Sequence, residues 1–418
     1  MPGKGLVFSA AILIVIFGFL AGNTSAFAAD KEKVVYNFDS DSSPWANGII
    51  SDAAGNLYGM TFDGGSSGYG SVFELSRLKD GAWTETLLYS FCSSGCGAVP
   101  EGTLAFDSAG NLYGATTQGG ANRYEGLAFQ LVRSKSGEWK ENILHEFTGG
   151  DGWWPTGAVV LDQQGNVYGV TENGGNSCDC GIVYQLKPGS NGHWTEKLIH
   201  KFVGTDGSNP FGGLTMDVAG NLYGGTLYGG SSPCNNPEGF GCGVVFELSP
   251  KANGQWAFKV LHSFEGKDGD GPWTRVVFDS SGRLYGTTVQ GGDISRCDPP
   301  YGRGTVFQLA PEANGRWREK VLHSFHLFQA AFPGAVVVDA AGNLYGTTPN
   351  GGEYFWGSAF ELTPSGGGGC GLTWLHSFGN GGDGRDPIAL IFGKDGGLYG
   401  TTAGGGAYGY GTLFELTP

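Results

Sequence analysis

Apolar and polar positions alternate along this chain in short runs of four to nine residues, and four kinds of run recur in one order. The first, strand A, is apolar and ends on Asp, as in Val336-Val337-Val338-Asp339. A D-x-x-G turn follows, then strand B, Asn343-Leu344-Tyr345-Gly346-Thr347-Thr348. A Gly-Gly loop leads to strand C, Ser358-Ala359-Phe360-Glu361-Leu362. An Asn-Gly turn and a Trp open strand D, as in the run from Trp317 to Phe325. Neighbouring side chains in A and B are both apolar, which is the pattern of a strand covered on both faces.

The four-strand unit repeats. The tyrosine of strand B stands at Tyr58, Tyr113, Tyr168, Tyr223, Tyr285, Tyr345 and Tyr399, at spacings of 54 to 62 residues. Seven units of four strands, each buried on both faces, predict an all-β fold, a seven-bladed β-propeller of four-stranded blades. A linear β-solenoid would use shorter repeats with one strand per face. The N-terminal strand reads as type D and the last strand as type C. Residues 33–38 are therefore expected to pair with residues 411–416 of the C-terminal blade and to close the ring.

Residues 1–28 read as a signal peptide: Lys4, an apolar run from Leu6 to Leu20, and small residues at Ala26 and Ala28 before the cleavage point. Residues 29–418 then form a single propeller, expected to be secreted or periplasmic, with no membrane contact after cleavage. Composition narrows the choices further. Glycine accounts for 79 of 418 residues, aromatics for 13% and charged residues for 15%. That mix suits strands and tight turns, not a coiled coil or a disordered tail. The net charge of −15 repels phosphate backbones and argues against nucleic acid as a partner.

The recurring polar residues have structural readings. Asp52, Asp107, Asp162, Asp217, Asp279 and Asp339 each open a D-x-x-G turn, and Gly393 takes that place in the last copy. His145, His200, His262, His323 and His376 share one strand-D position, which Tyr36 and Tyr89 fill elsewhere. A catalytic base is needed once, and tyrosine does not replace its chemistry near neutral pH. Trp83, Trp139, Trp194, Trp256 and Trp317 open strand D and read as packing between blades, with Cys370 at that place in the sixth copy. No metal site and no cofactor are expected. Hydrolase, zinc-protease, P-loop and EF-hand motifs are missing.

In an exported chain Cys234 with Cys242, and Cys92 with Cys96, are candidate disulfides. Cys178 and Cys180 flank a single residue and read as too tight for an easy bridge, while Cys297 and Cys370 lack local partners.

Variation concentrates in the D–A and B–C loops, which leave a propeller on one face. They carry the candidate ligand-binding residues Trp45, Trp153, Trp154, Phe211, Trp273, Tyr301 and Trp356, with Arg275 where other copies have a small residue or Thr. Aromatic rings beside carboxylates suit sugar faces and hydroxyls, or a cell-surface protein. The leading expectation is thus a non-catalytic propeller that binds glycan or protein through this face. The first alternative is a glycoside hydrolase or polysaccharide lyase, with Glu101 and Asp386 as candidate acids. The second is a structural component of the cell envelope.

The unit GGLxxDxxGNLYGTTxxGG…GTVFELxPxxNGxWxEKVLHSF resembles the GloVer-type tandem repeat of choice-of-anchor bacterial proteins. The best-matching stretches are GTVFQLAPEANGRWREKVLHSF and DAAGNLYGTTPNGG. The resemblance implies an exported repeat protein and supplies no catalytic residues to carry over.

Overall fold

A computed structural model describes residues 32–417, apart from 41, 43–47, 93–94, 122–123, 233, 235–239, 294–301, 327–329 and 366–369. The expected signal peptide over 1–28, Trp45, Cys297 and Tyr301 lie outside the described residues.

The chain forms a seven-bladed β-propeller of antiparallel sheets, with a single short 3-10 turn at Ser190–Gly192 among the described residues. In the first blade the strands run Ile49–Ser51, Leu57–Thr61, Ser71–Arg77 and Trp83–Ser90, each hydrogen-bonded to the next. The seventh blade takes three strands from Arg385–Phe392, Leu398–Gly404 and Thr412–Leu416, and its fourth from the N-terminal strand Glu32–Asn37. Glu32 lies opposite Leu416 and Asn37 opposite Thr412, so the outer edge of the last strand is paired.

Seven apolar clusters, each built from two neighbouring blades, hold the ring. One joins the last blade to the first, through Tyr399 and Leu413 on one side and Ile49, Leu57, Phe73 and Leu75 on the other. Strands B and C supply most of it: Leu57–Thr61 and Leu344–Thr348 are buried at every residue. The repeated Leu-Tyr-Gly is a packing unit. A Cβ on Gly346 would stand 2.5 Å from Cζ of Phe360, and one on Gly286 2.6 Å from Cζ of Phe307. Only glycine admits the strand-C ring over the strand-B backbone.

The Asp of each turn does two jobs. Asp52 accepts the backbone N–H groups of Ala54, Gly55 and Asn56 on one oxygen, and the Asn56 amide and Tyr58 hydroxyl on the other. Burial opposes its ionisation, but these donors hold its carboxyl below the ordinary value. The strand-D tryptophans lie edge-on against the tyrosine of the preceding blade: Trp83 on Tyr399, Trp194 on Tyr113, Trp256 on Tyr168 and Trp317 on Tyr223.

Candidate binding face

The D–A and B–C loops are joined across every described blade boundary on their face by one local arrangement. Six D–A loops carry an Xaa-Pro pair among the described residues, and Xaa adopts a left-handed backbone in each. Its φ is 56° at Val99 and Trp154, 58° at Asn209 and Phe332, 70° at Gly271 and 55° at Asp386. The Xaa N–H donates to a carbonyl in the B–C loop of the preceding blade at 2.9–3.1 Å, with acceptors at Tyr69, Glu125, Cys180, Cys242, Arg303 and Trp356. The next residue along is a glycine pressed on the proline ring: a Cβ on Gly357 would stand 2.5 Å from Cδ of Pro387. Five non-glycine residues held at positive φ are a store of strain, and such strain persists only where the surroundings over-determine it. The face is therefore a rigid platform.

Disulfides tie the same loops. Cys92–Cys96 closes a D–A loop, and Cys234–Cys242 closes a B–C loop. Cys178 and Cys180 also bridge, contrary to the expectation that the pair is too tight. Asp179 between them adopts φ 60°, which folds the backbone so that the two Cα atoms stand 5.2 Å apart. Cys370 is a free thiol, and burial raises its pKa.

All nine exposed aromatic side chains among the described residues lie on this face. They are Tyr69, Tyr124, Trp154, Phe240, Tyr354, Phe355, Trp356, Tyr408 and Tyr410. Trp154 is 38% exposed and Trp356 43%. Their positions are fixed: the Trp154 indole N–H donates to the Tyr124 carbonyl at 3.0 Å, and the Arg385 guanidinium sits 5.0 Å over the Trp356 ring. Trp153 meets Trp154 edge-on and donates to Asp179 at 2.9 Å.

The residues that follow the prolines of these Xaa-Pro pairs form a second group. Phe211 and Trp273 come from neighbouring blades and lie nearly parallel, 6.4 Å apart at 19°. Trp273 is half-buried and donates to the Pro333 carbonyl at 3.1 Å, so it is less open than Trp154 and Trp356. Glu101 follows Pro100. Burial, with Glu172 of the next blade beside it, pushes Glu101 up to about 7, and burial raises Glu172 as well. Glu101 thus lies beside Glu172, while burial raises the other candidate acid, Asp386, against the pull of Arg385. Arg275 keeps some accessible surface yet is deeply enclosed, and burial lowers its pKa. Its backbone abuts Gly212, where a Cβ would stand 2.6 Å from the Arg275 nitrogen. Among the described residues no carboxylate pairs with this guanidinium.

Sequence reasoning missed the coupling of the strand-D histidines to the loop aspartates. His145, His200, His262 and His376 bond Asp151, Asp206, Asp268 and Asp383 through Nε2 at 2.8–3.0 Å. The spacing of six or seven residues between each His and the Asp of an Asp-Gly was the available signal. These pairs anchor the start of four D–A loops. The cluster of Cys234, Cys242 and Asp270 offers no thiolate for a metal, because its sulfurs are bridged.

The profile of the Gloeobacter/Verrucomicrobia repeat matches residues 21–236 and 234–418. Comparison with curated proteins finds no match. Among solved structures, the chain is similar to a luciferin-regenerating enzyme at 15% identity and TM-score 0.44, over 76% of this chain and 91% of that one. It is similar to a protein of unknown function from Dyadobacter fermentans at 12% identity and TM-score 0.44, over 93% and 98% of the two chains. It is also similar to a Thermus thermophilus protein described as an oxidoreductase (glucose dehydrogenase), at 16% identity and TM-score 0.46, over 76% and 96%. At this level of likeness none of the three bears on activity.

Proposed function

The chain belongs to the Gloeobacter/Verrucomicrobia repeat family, and from that premise we propose that it is an exported propeller that binds carbohydrate through its D–A/B–C face. The observation that carries this reading is the confinement of all nine exposed aromatic rings, among the described residues, to one face. An apolar ring held rigidly in water is a platform for the C–H face of a sugar. Trp154 and Trp356 are the platforms, and the enclosed Arg275 is the donor for a hydroxyl or carboxylate of the ligand. The three disulfides fit an oxidising compartment. No helix among the described residues is long and apolar enough to cross a membrane.

A hydrolytic reading has one observation in its favour. Glu101, held at about 7 beside Glu172, is a carboxyl that stays protonated near neutrality, as a general acid requires. A glycan array probed with the secreted protein, followed by incubation with each bound glycan and analysis for cleavage, separates the readings. Binding without cleavage supports the carbohydrate-binding propeller. Cleavage that Glu101→Gln abolishes establishes the hydrolase. An array with no bound glycan contradicts both.

A further inference from the structure

At the outer rim, the strand-D residues Tyr36, Tyr89, His200 and His262 face the third residue of strand D in the next blade. The register fixes which residue that is, because it always lies opposite the Leu of strand C: Glu85 opposite Leu75, Glu141 opposite Leu131, Glu196 opposite Leu186, Phe258 opposite Leu248 and Glu319 opposite Leu309. Where the facing residue is Tyr, it donates directly to the glutamate: Tyr36 to Glu85 at 3.1 Å and Tyr89 to Glu141 at 3.0 Å. Where it is His200, the partner is Phe258, and the rings stack 3.9 Å apart at 2°.

Neither pattern holds between blades two and three, where Oε1 of Glu196 is buried without a partner beside the His145–Asp151 pair, or between blades four and five, where the glutamate comes closest to the pair. His262 bonds Asp268 at 2.9 Å, and Glu319 of the next blade is turned toward the pair. One ligand atom from each of the three residues lies within 4.8 Å of the others. Oε1 of Glu319 is buried with no hydrogen-bond partner. Folded proteins leave few such atoms unsatisfied, and a bound ion or water is one way in which such an oxygen is satisfied. Lys267, next to Asp268 in the chain, is taken by Glu265 at 2.7 Å. Imidazole nitrogen and two carboxylates from three separate segments are a donor set suited to a divalent transition cation. A zinc ion with bonds of about 2.0–2.2 Å to such donors fits ligand atoms this close together.

We propose that His262, Asp268 and Glu319 form a zinc-type metal site that clamps blade four to blade five, with water completing the coordination at the rim. The site is separate from the binding face and independent of the carbohydrate reading. Metal takes the Nε2 lone pair, so the proton bridging Nε2 and Asp268 is given up to solvent or moves to Nδ1. Binding therefore weakens as pH falls.

The test is titration of the EDTA-treated full-length secreted protein with zinc chloride by calorimetry, with cobalt(II) absorption as a second readout. The comparison variants are Glu319→Gln and Glu319→Phe. The phenylalanine variant reproduces the His200–Phe258 stack already present one blade earlier, so the boundary keeps a packing that this fold uses. The expected result is one saturable site per chain, with affinity at least tenfold lower in both variants and the melting temperature raised by zinc in the wild type alone. A wild type that takes up no zinc, or variants that bind it with unchanged affinity, overturns the proposal.

Discussion

Asp395 accepts the hydroxyl of Tyr399 at 2.7 Å, although it stands two residues after the position that the other six copies give to the turn aspartate. The seventh copy has Gly393 at that position, and a Cβ there would stand 2.3 Å from Cε2 of the Tyr399 ring. The carboxylate has moved along the turn while the tyrosine keeps its partner. Asp395 also pairs with Arg77 of the first blade at 3.0 Å, so the displaced carboxylate joins the two blades that close the ring. Gly393→Ala is expected to lower stability by about 1–3 kcal/mol through overpacking of a buried ring. Asp395→Ala should cost about 1 kcal/mol, because Glu415 still accepts the hydroxyl at 3.0 Å. Urea denaturation of the two variants checks the order.

Tyr184 occupies the strand-C position that holds Phe in the other six blades, and its hydroxyl is buried without a partner. Burial raises its pKa, so the ring stays neutral and still carries an unsatisfied polar atom. Tyr184→Phe removes the hydroxyl and keeps the ring. It is expected to stabilise the protein by about 1–2 kcal/mol. A melting temperature lower than that of the wild type would count against this assignment.

Glu101, Glu196 and Glu319 are each pushed up to about 7 from the ordinary 4.5, burial being the largest cause. The folded state thus holds more protons than the unfolded state between about pH 4.5 and 7. The stability that comes from this uptake is full below about pH 4.5 and is lost as the pH rises through 7. Glutamine mimics the neutral carboxyl. In metal-free buffer, Glu196→Gln and Glu319→Gln should match the wild type at pH 5 and exceed its stability at pH 8. The gain is about 1–2 kcal/mol each, discounted because both side chains keep solvent contact. Denaturation at the two pH values gives the comparison.

The repeat, the strand types and the blade number were legible because Leu-Tyr-Gly, Asp-x-x-Gly and the strand-D Trp each meet one packing or turn requirement that returns in every blade. The chemistry between blades was much less so. Glu319, 57 positions beyond His262, is brought beside the His262–Asp268 pair by a stacking of blades that no local pattern encodes. The same holds for Glu101 and Glu172, whose neighbouring carboxyls come from separate copies. Cys178 and Cys180 were read as too tight for an easy bridge, and Asp179 at φ 60° folds the backbone so that one forms. The aromatic loops were readable as a set, but the openness of each ring depends on its neighbours. Trp273, half-buried against Phe211, differs from Trp154 for that reason.

The central claim is that exposed rings on the D–A/B–C face hold a sugar. It is tested most directly by calorimetric titration of the best array glycan into the wild type and into Trp154→Ala and Trp356→Ala, with melting temperatures measured alongside. Because both rings are exposed, truncation leaves no buried cavity, whereas a core tryptophan would cost about 3–5 kcal/mol. The predicted result is affinity lowered at least tenfold in one or both variants at nearly unchanged melting temperature. Unchanged affinity in both, or a sharp fall in melting temperature with each, would contradict the account.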